Sequence, residues 1–272
     1  MQKACKEGRK DIIDLMILNG CNNYNEGLAG ACEGGHLAII KMMLSKGANN
    51  YNKGLKGACE GGHLEIVKMM LYFGANYYNY GLCYACKSGN IEIVKMMLSL
   101  GATDYNWGLQ GACEGGHLDL VKMMIDLGAN NYNIGLEGAC EGGHLEIIKM
   151  MLDFGAKNYN YGLFGACKGG HFAIVKMMIN LGATDYNWGL INACNEGRNE
   201  GHTAVVKMMI DVGANDYNYL IYGNLDLKIL FIRLTRKVID LPIKTEHPEY
   251  HLLKVYRYKI PDIDRLINKY LF

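Results

Sequence analysis

Proline, net charge and long apolar runs are all scarce in this chain of 272 residues. The formal net charge is only +1, whereas proteins that bind nucleic acid in bulk usually carry a basic footprint. No apolar run approaches the roughly 18 residues that span a bilayer, and none opens the chain as a signal peptide would. The longest candidate, LKILFIRL at 227–234, is broken by Lys228 and Arg233. The chain is therefore expected to be soluble, unsecreted and cytoplasmic. No G-x-x-x-x-G-K-[ST] loop is present, and no paired carboxylates or Ser–His–Asp arrangement stands out. Half the residues are hydrophobic, which argues against disorder. The three prolines, Pro242, Pro248 and Pro261, all lie near the C-terminal end.

Cysteine, by contrast, is plentiful. Ten cysteines would suggest a disulfide framework in a small secreted protein. Cys32, Cys59, Cys86, Cys113, Cys140, Cys167 and Cys194, however, lie 27 residues apart, and Cys5 extends the series backwards. Only Cys21 and Cys83 fall outside it. A fixed period of this size means an array of repeated structural units. Seven full units span 24–216, beginning at Tyr24, Tyr51, Tyr78, Tyr105, Tyr132, Tyr159 and Tyr186; a partial unit covers 1–23 and an eighth starts at Tyr217. The consensus is YNxGLxGACEGGHLEIVKMMLxxGAxx. Unit seven carries four extra residues before His202, among them Arg198, Asn199 and Glu200, which are expected to lengthen a turn.

The second half of each unit reads as a helix. In unit four, Leu118, Leu120, Val121, Met123, Met124 and Ile125 form a broad apolar face, opposite Asp119, Lys122 and Asp126. Gly128 follows at the position of a left-handed cap. The acid–lysine pairs Glu65–Lys68, Glu92–Lys95, Asp119–Lys122 and Glu146–Lys149 suit a solvated helix face. The fourteen methionines of the MM pairs are assigned to the packed side. The first half is a shorter helix, with Asn106 expected to cap a segment starting at Trp107. The repeated tyrosines are expected to stack as a ladder. Interior glycines disfavour such a helix on its own, so neighbouring units must hold it.

The stretch GLxGACEGGHLEIVKMMLxxGAxxYN resembles the ankyrin repeat, and the resemblance covers 1–218. It implies an all-α ankyrin-repeat solenoid of helix–turn–helix units. The units are six residues shorter than the usual 33. The missing residues fall where the family carries its β-hairpin finger, so the hairpin loops are shortened, and the TPLH opening is replaced by forms such as WGLQ at 107–110. Short units of this kind resemble those in ankyrin proteins of large DNA viruses of protists, which would imply a viral protein acting in host cytoplasm.

GACEGGH at 111–117 looks at first like half a metal site. Zinc needs about four ligands around one ion, and each unit supplies one Cys and one His. Unit three keeps Cys86 but has Asn90 in place of the histidine. Cysteines one repeat apart also exceed the reach of a disulfide. The cysteine is read as a small packed hydrophobe. The histidine, by its ankyrin counterpart, is read as fixing the turn through hydrogen bonds. No cofactor, metal or catalytic residue is assigned, and the protein is read as a non-enzyme.

Differences among the units point elsewhere. In the first helix, unit positions 5, 8 and 9 (Leu109, Ala112 and Cys113 in unit four) are nearly constant, which marks a packed face. Positions 3, 6, 7 and 10 vary and are assigned to the exposed face. In ankyrin stacks this face lines the concave groove that holds a partner. Position 3 supplies Tyr80, Trp107, Ile134, Tyr161 and Trp188; position 6 adds Phe164 and Ile191, and position 7 adds Tyr84. Exposed Trp and Tyr dominate interface hot spots. These eight residues are the candidate partner-binding set, with Glu60, Lys87, Glu114, Glu141 and Lys168 at position 10 as a charged rim. The expected partner is a protein, with no nucleic acid, membrane or small-molecule substrate, and the chain is expected to be monomeric.

Residues 219–272 differ in character, with ten Lys/Arg against six Asp/Glu. LDLKILFIRLTRKVID and PDIDRLINKYL read as helices of a C-terminal cap. The alternative is a tail that recruits a second protein, such as ubiquitin-ligase machinery.

Overall fold

A computed structural model describes residues 1–196 and 200–215. They fall into two compact bodies, Met1–Gly165 and a second that begins at Ala166. The boundary at residue 218, the eighth unit and the expected helices of 219–272 lie outside the described residues, as do Arg198 and Asn199 of the insertion.

Every described element is a helix, and among the described residues there is no strand. The partial unit gives α1 (Gln2–Lys6) and α2 (Lys10–Leu18). Units one to three give α3 (Tyr24–Glu33) and α4 (Leu37–Ser45), α5 (Tyr51–Glu60) and α6 (Leu64–Tyr72), then α7 (Tyr78–Ser88) and α8 (Ile91–Ser99). Units four and five give α9 (Tyr105–Gly115) and α10 (Leu118–Asp126), then α11 (Tyr132–Gly142) and α12 (Leu145–Asp153). Units six and seven give α13 (Tyr159–Gly169) and α14 (Phe172–Leu181), then α15 (Tyr186–Glu196) and α16 (Glu200–Asp211). Five residues, Leu127–Asn131, join α10 to α11, which leaves no room for a hairpin finger.

Unit four shows how 27 residues close on themselves. Leu109, Ala112 and Cys113 of α9 and Leu120, Val121 and Met124 of α10 are buried, as the repeat pattern requires. Burying a Leu, Val or Met side chain stabilises by about 1.5–3 kcal/mol. Met124 lies over Gly108, where any larger residue would meet its Sδ. That packing accounts for one glycine of α9 that helix propensity disfavours. The second methionine of each MM pair, as in Met43, Met70 and Met97, is buried, while the first is half-buried. At the end of α10, Gly128 takes a φ of 110°, and the N–H of Ala129 bonds the carbonyl of Met124 at 2.9 Å. This is a left-handed glycine cap. On the wet side of α6, Lys68 meets Glu65 at 2.7 Å.

Three expectations need correction. The first helix begins at Tyr105, and its cap is Asp104, whose Oδ1 accepts the Trp107 N–H at 3.1 Å. Asn106 lies inside the helix, and its Oδ1 accepts the N–H groups of Asn130 and Asn131 at 2.9 and 2.8 Å. Asn25, Asn52, Asn79 and Asn133 make the same double bond to their own loops. The asparagine therefore clasps the loop that leads to the next unit. Of the repeated tyrosines, two stack inside their own units and not on each other: Tyr51 on Phe73 at 5.3 Å and Tyr132 on Phe154 at 5.1 Å. In unit seven the insertion does more than lengthen a turn. His202 is the third residue of α16, although its equivalents stand just before their helices, and its Nε2 still reaches the carbonyl of Lys168 at 2.8 Å.

Candidate partner-binding face

Position 3 sits on the first turn of each first helix and faces outwards. Trp107 is 37% exposed, Tyr80 45% and Tyr161 38%. The Tyr80 and Trp107 rings meet edge to face, with centroids 4.8 Å apart. Tyr77 continues the cluster, 6.1 Å from Tyr80. Tyr161 and Phe164 lie 6.2 Å apart one helical turn from each other. Ile134 occupies the same position of α11 and is half-buried. In the second body, Trp188 is exposed and Ile191 half-buried at the matching positions of α15.

Aromatic pairs in offset or edge-to-face geometry gain about 0.5–1.5 kcal/mol beyond area burial. The Tyr80–Trp107 pair is thus preorganised while a large part of each ring remains in water. Tyr77 was not among the expected residues. It stands at the unit's last position, where the other units have Asn or Asp, and that substitution was the available signal.

Position 7 differs from expectation. A Cβ added to Gly111 would come inside 3 Å of the carbonyl oxygen of Cys83, and one on Gly138 likewise with Gln110. Position 7 is therefore a helix-to-helix contact. Its variation among units reflects how closely neighbouring first helices approach. Tyr84, the one large aromatic there, is half-buried, and the Nζ of Lys56 lies 4.5 Å from its ring centroid.

The rim at position 10 is paired across units. Lys87 reaches Glu114 at 2.7 Å and Glu60 at 3.5 Å. Burial alone would lower the Lys87 ammonium, but the hydrogen bond and field of Glu114, with Glu60, hold it above the ordinary lysine range. Lys6 pairs with Glu33, and at position 3 Lys53 pairs with Glu26. Position 3 is thus ionic in units one and two and apolar from unit three onwards, aromatic in each except for Ile134.

GACEGGH is architecture. Cys113 is fully buried, and its thiol is pushed up by that burial. Burial likewise pushes Cys32 and Cys59 up to about 12. Cys83 is pushed up to about 11, first by burial and then by Glu114. Such thiols stay protonated, which is the opposite of an activated nucleophile. The Nε2 of His117 bonds the carbonyl of Lys87, one unit back, at 3.1 Å. Among the described residues, no three His, Cys, Asp or Glu side chains come together as a metal site, and no helix is long and apolar enough to cross a membrane.

Stacked pairs of short antiparallel helices, tied together by a histidine and separated by glycine-capped turns, define a helical-repeat solenoid. The family model of ankyrin repeats, in copies of three, matches at residues 1–80, 28–107, 55–135 and 82–159. The chain belongs to the ankyrin-repeat family. Among solved structures it is similar to the human ASB11 ankyrin repeat domain, at 22% identity, over 64% of this chain and 96% of that one, with a TM-score of 0.36. No curated protein matches the chain.

Proposed function

We propose that the protein is a non-catalytic interaction scaffold that holds a protein partner on the aromatic face of its first helices. Tyr80, Tyr84, Trp107, Ile134, Tyr161 and Phe164 in the first body, with Trp188 and Ile191 in the second, are the residues assigned to contact. One observation carries the reading: Tyr80 and Trp107 are locked edge to face yet remain more than a third exposed, at a position that varies from unit to unit. A residue that only closed the fold would be expected to recur and to be covered, as Leu109 and its equivalents are. Rigid aromatics lose little entropy when a partner covers them, which is why they concentrate in binding hot spots.

The basic balance of residues 219–272 supports a second element, a tail that engages another protein. Deleting it would remove one partner and leave binding to the aromatic face intact. The shortened units suit a viral protein in host cytoplasm. The test of the main reading replaces Trp107, Tyr161 and Trp188 by Ala together and compares crosslinked partners with the wild type. Loss of partners with an unchanged melting temperature supports the reading; an unfolded variant assigns the rings to architecture.

A further inference from the structure

The contact between α5 and α7 departs from its neighbours at three positions together. Where Gly57, Gly111 and Gly138 let one first helix lie against the carbonyl oxygens of the preceding one, unit three has Tyr84. At the second close approach, where Gly61, Gly115 and Gly142 face the carbonyls of Glu33, Lys87 and Glu114, it has Ser88. Third, His63, His117 and His144 bond those same carbonyls at 3.1 Å, and unit three has Asn90. Asn90 is too short for the equivalent carbonyl of Glu60. Its Nδ2 donates to Gly62 at 3.1 Å, and its Oδ1 caps α8 by accepting from Glu92 and Ile93.

A side chain at the first two positions cannot occupy the spacing that glycine allows, so the helices must stand apart. They do. α5 and α7 pack less closely than α3 with α5, α7 with α9 or α9 with α11. The seam is opened along its first helices. Flexible side chains bridge it: Lys56 over Tyr84, and Lys87 to Glu60. Backbone-to-glycine packing is replaced by these side-chain contacts, and the histidine bond by the shorter reach of Asn90 to the Gly62 carbonyl.

We propose that the α5–α7 seam is a joint that divides the first body into two cooperative blocks, residues 1–73 and 78–165, and that the first opens without the second. The joint coincides with the change in the face. Glu26, Lys53 and Lys56 lie before it, and Tyr80, Trp107 and Ile134 after it. Repeat arrays owe their cooperativity to nearest-neighbour interfaces, so one weakened interface uncouples what lies on either side. The inference goes beyond the scaffold reading and does not rest on it.

Urea unfolding of the full chain tests it, followed by far-UV ellipticity and by tryptophan fluorescence. Both tryptophans, Trp107 and Trp188, lie beyond the joint. The expected result is an early ellipticity phase with no change in fluorescence. It should carry about a third of the described helical signal, the share held by α1–α6. Native-state hydrogen exchange in the wild type should place the edge of the early-opening segment at residues 73–78. Tyr84→Gly, Ser88→Gly and Asn90→His together restore the repeat and should merge the phases into one. Coincident ellipticity and fluorescence curves, an exchange boundary elsewhere, or an early phase that persists in a folded triple variant would each overturn the joint. Should the triple variant fail to fold, the wild-type exchange boundary decides the question by itself.

Discussion

His117 belongs to one repeat, yet its Nε2 lies 3.1 Å from the carbonyl oxygen of Lys87 in the repeat before it. A carbonyl only accepts, so Nε2 carries the proton, and the ring acts as a strut between units. The same strut recurs from His36 to Lys6 at 3.0 Å, from His63 to Glu33 and from His144 to Glu114. Each ring also packs against the glycines on either side of it, as His117 does against Gly115 and Gly89.

Replacing His117 by Ala removes the strut and strands a part-buried carbonyl. The expected loss is about 1–2 kcal/mol in urea unfolding. His117→Asn should lose less, because Asn90 shows that an asparagine still caps the following helix and finds a nearer carbonyl. Equal losses for the two variants would mean that the ring's packing matters and its hydrogen bond does not.

Asn106 makes a different kind of prediction, because it uses only its oxygen on the loop, as the acceptor for Asn130 and Asn131. Asn106→Ala should cost about 1–2 kcal/mol, as two backbone donors lose a partner. Asn106→Asp keeps the acceptor and puts a negative charge in the first turn of α9, where the helix dipole favours it. It should therefore be tolerated. The paired unfolding midpoints check this, and an Asp variant as damaged as Ala would contradict the clasp.

The column of buried thiols predicts an alkaline instability. Burial pushes Cys32, Cys59, Cys86, Cys140 and Cys194 up to about 12, from the ordinary 9.0 of an exposed thiol. Above pH 9 the unfolded chain sheds these protons while the folded chain keeps them, so unfolding gains as pH rises. Stability should be flat with respect to these groups below pH 9 and fall between about pH 9 and 12. The slope reaches up to about 1.4 kcal/mol per pH unit for each thiol. Urea midpoints across that range check the sign. A flat profile would show that the thiols reach water.

Much of this was legible in the sequence. The 27-residue period exposed the unit, the apolar spacing exposed the second helix, and the constancy of Leu109, Ala112 and Cys113 marked the buried side of the first. Position 3 was read as exposed because its residues change from unit to unit; Tyr80, Trp107, Tyr161 and Trp188 are exposed there, while Ile134 is half-buried. Position 7 misled for the same reason. Gly111 and Tyr84 look like tolerated variation, but each sets the distance to the preceding helix, and that distance is a tertiary quantity. The role of Asn106 was hidden because an asparagine that caps its own helix and one that clasps a loop some 24 residues ahead have the same local sequence. The pairing of Lys87 with both neighbours depends on register between units, which periodicity alone does not rank.

In the proposed function the exposed rings of the first helices, and not the repeated GACEGGH phrase, hold the partner. The most direct measurement is quantitative crosslinking and mass spectrometry in the native cell, comparing the wild type with the Trp107→Ala, Tyr161→Ala and Trp188→Ala combination. The expected result is that one set of partners disappears from the variant, while its helical ellipticity and melting temperature stay at the wild-type values. An unchanged set of partners on a folded variant would contradict it.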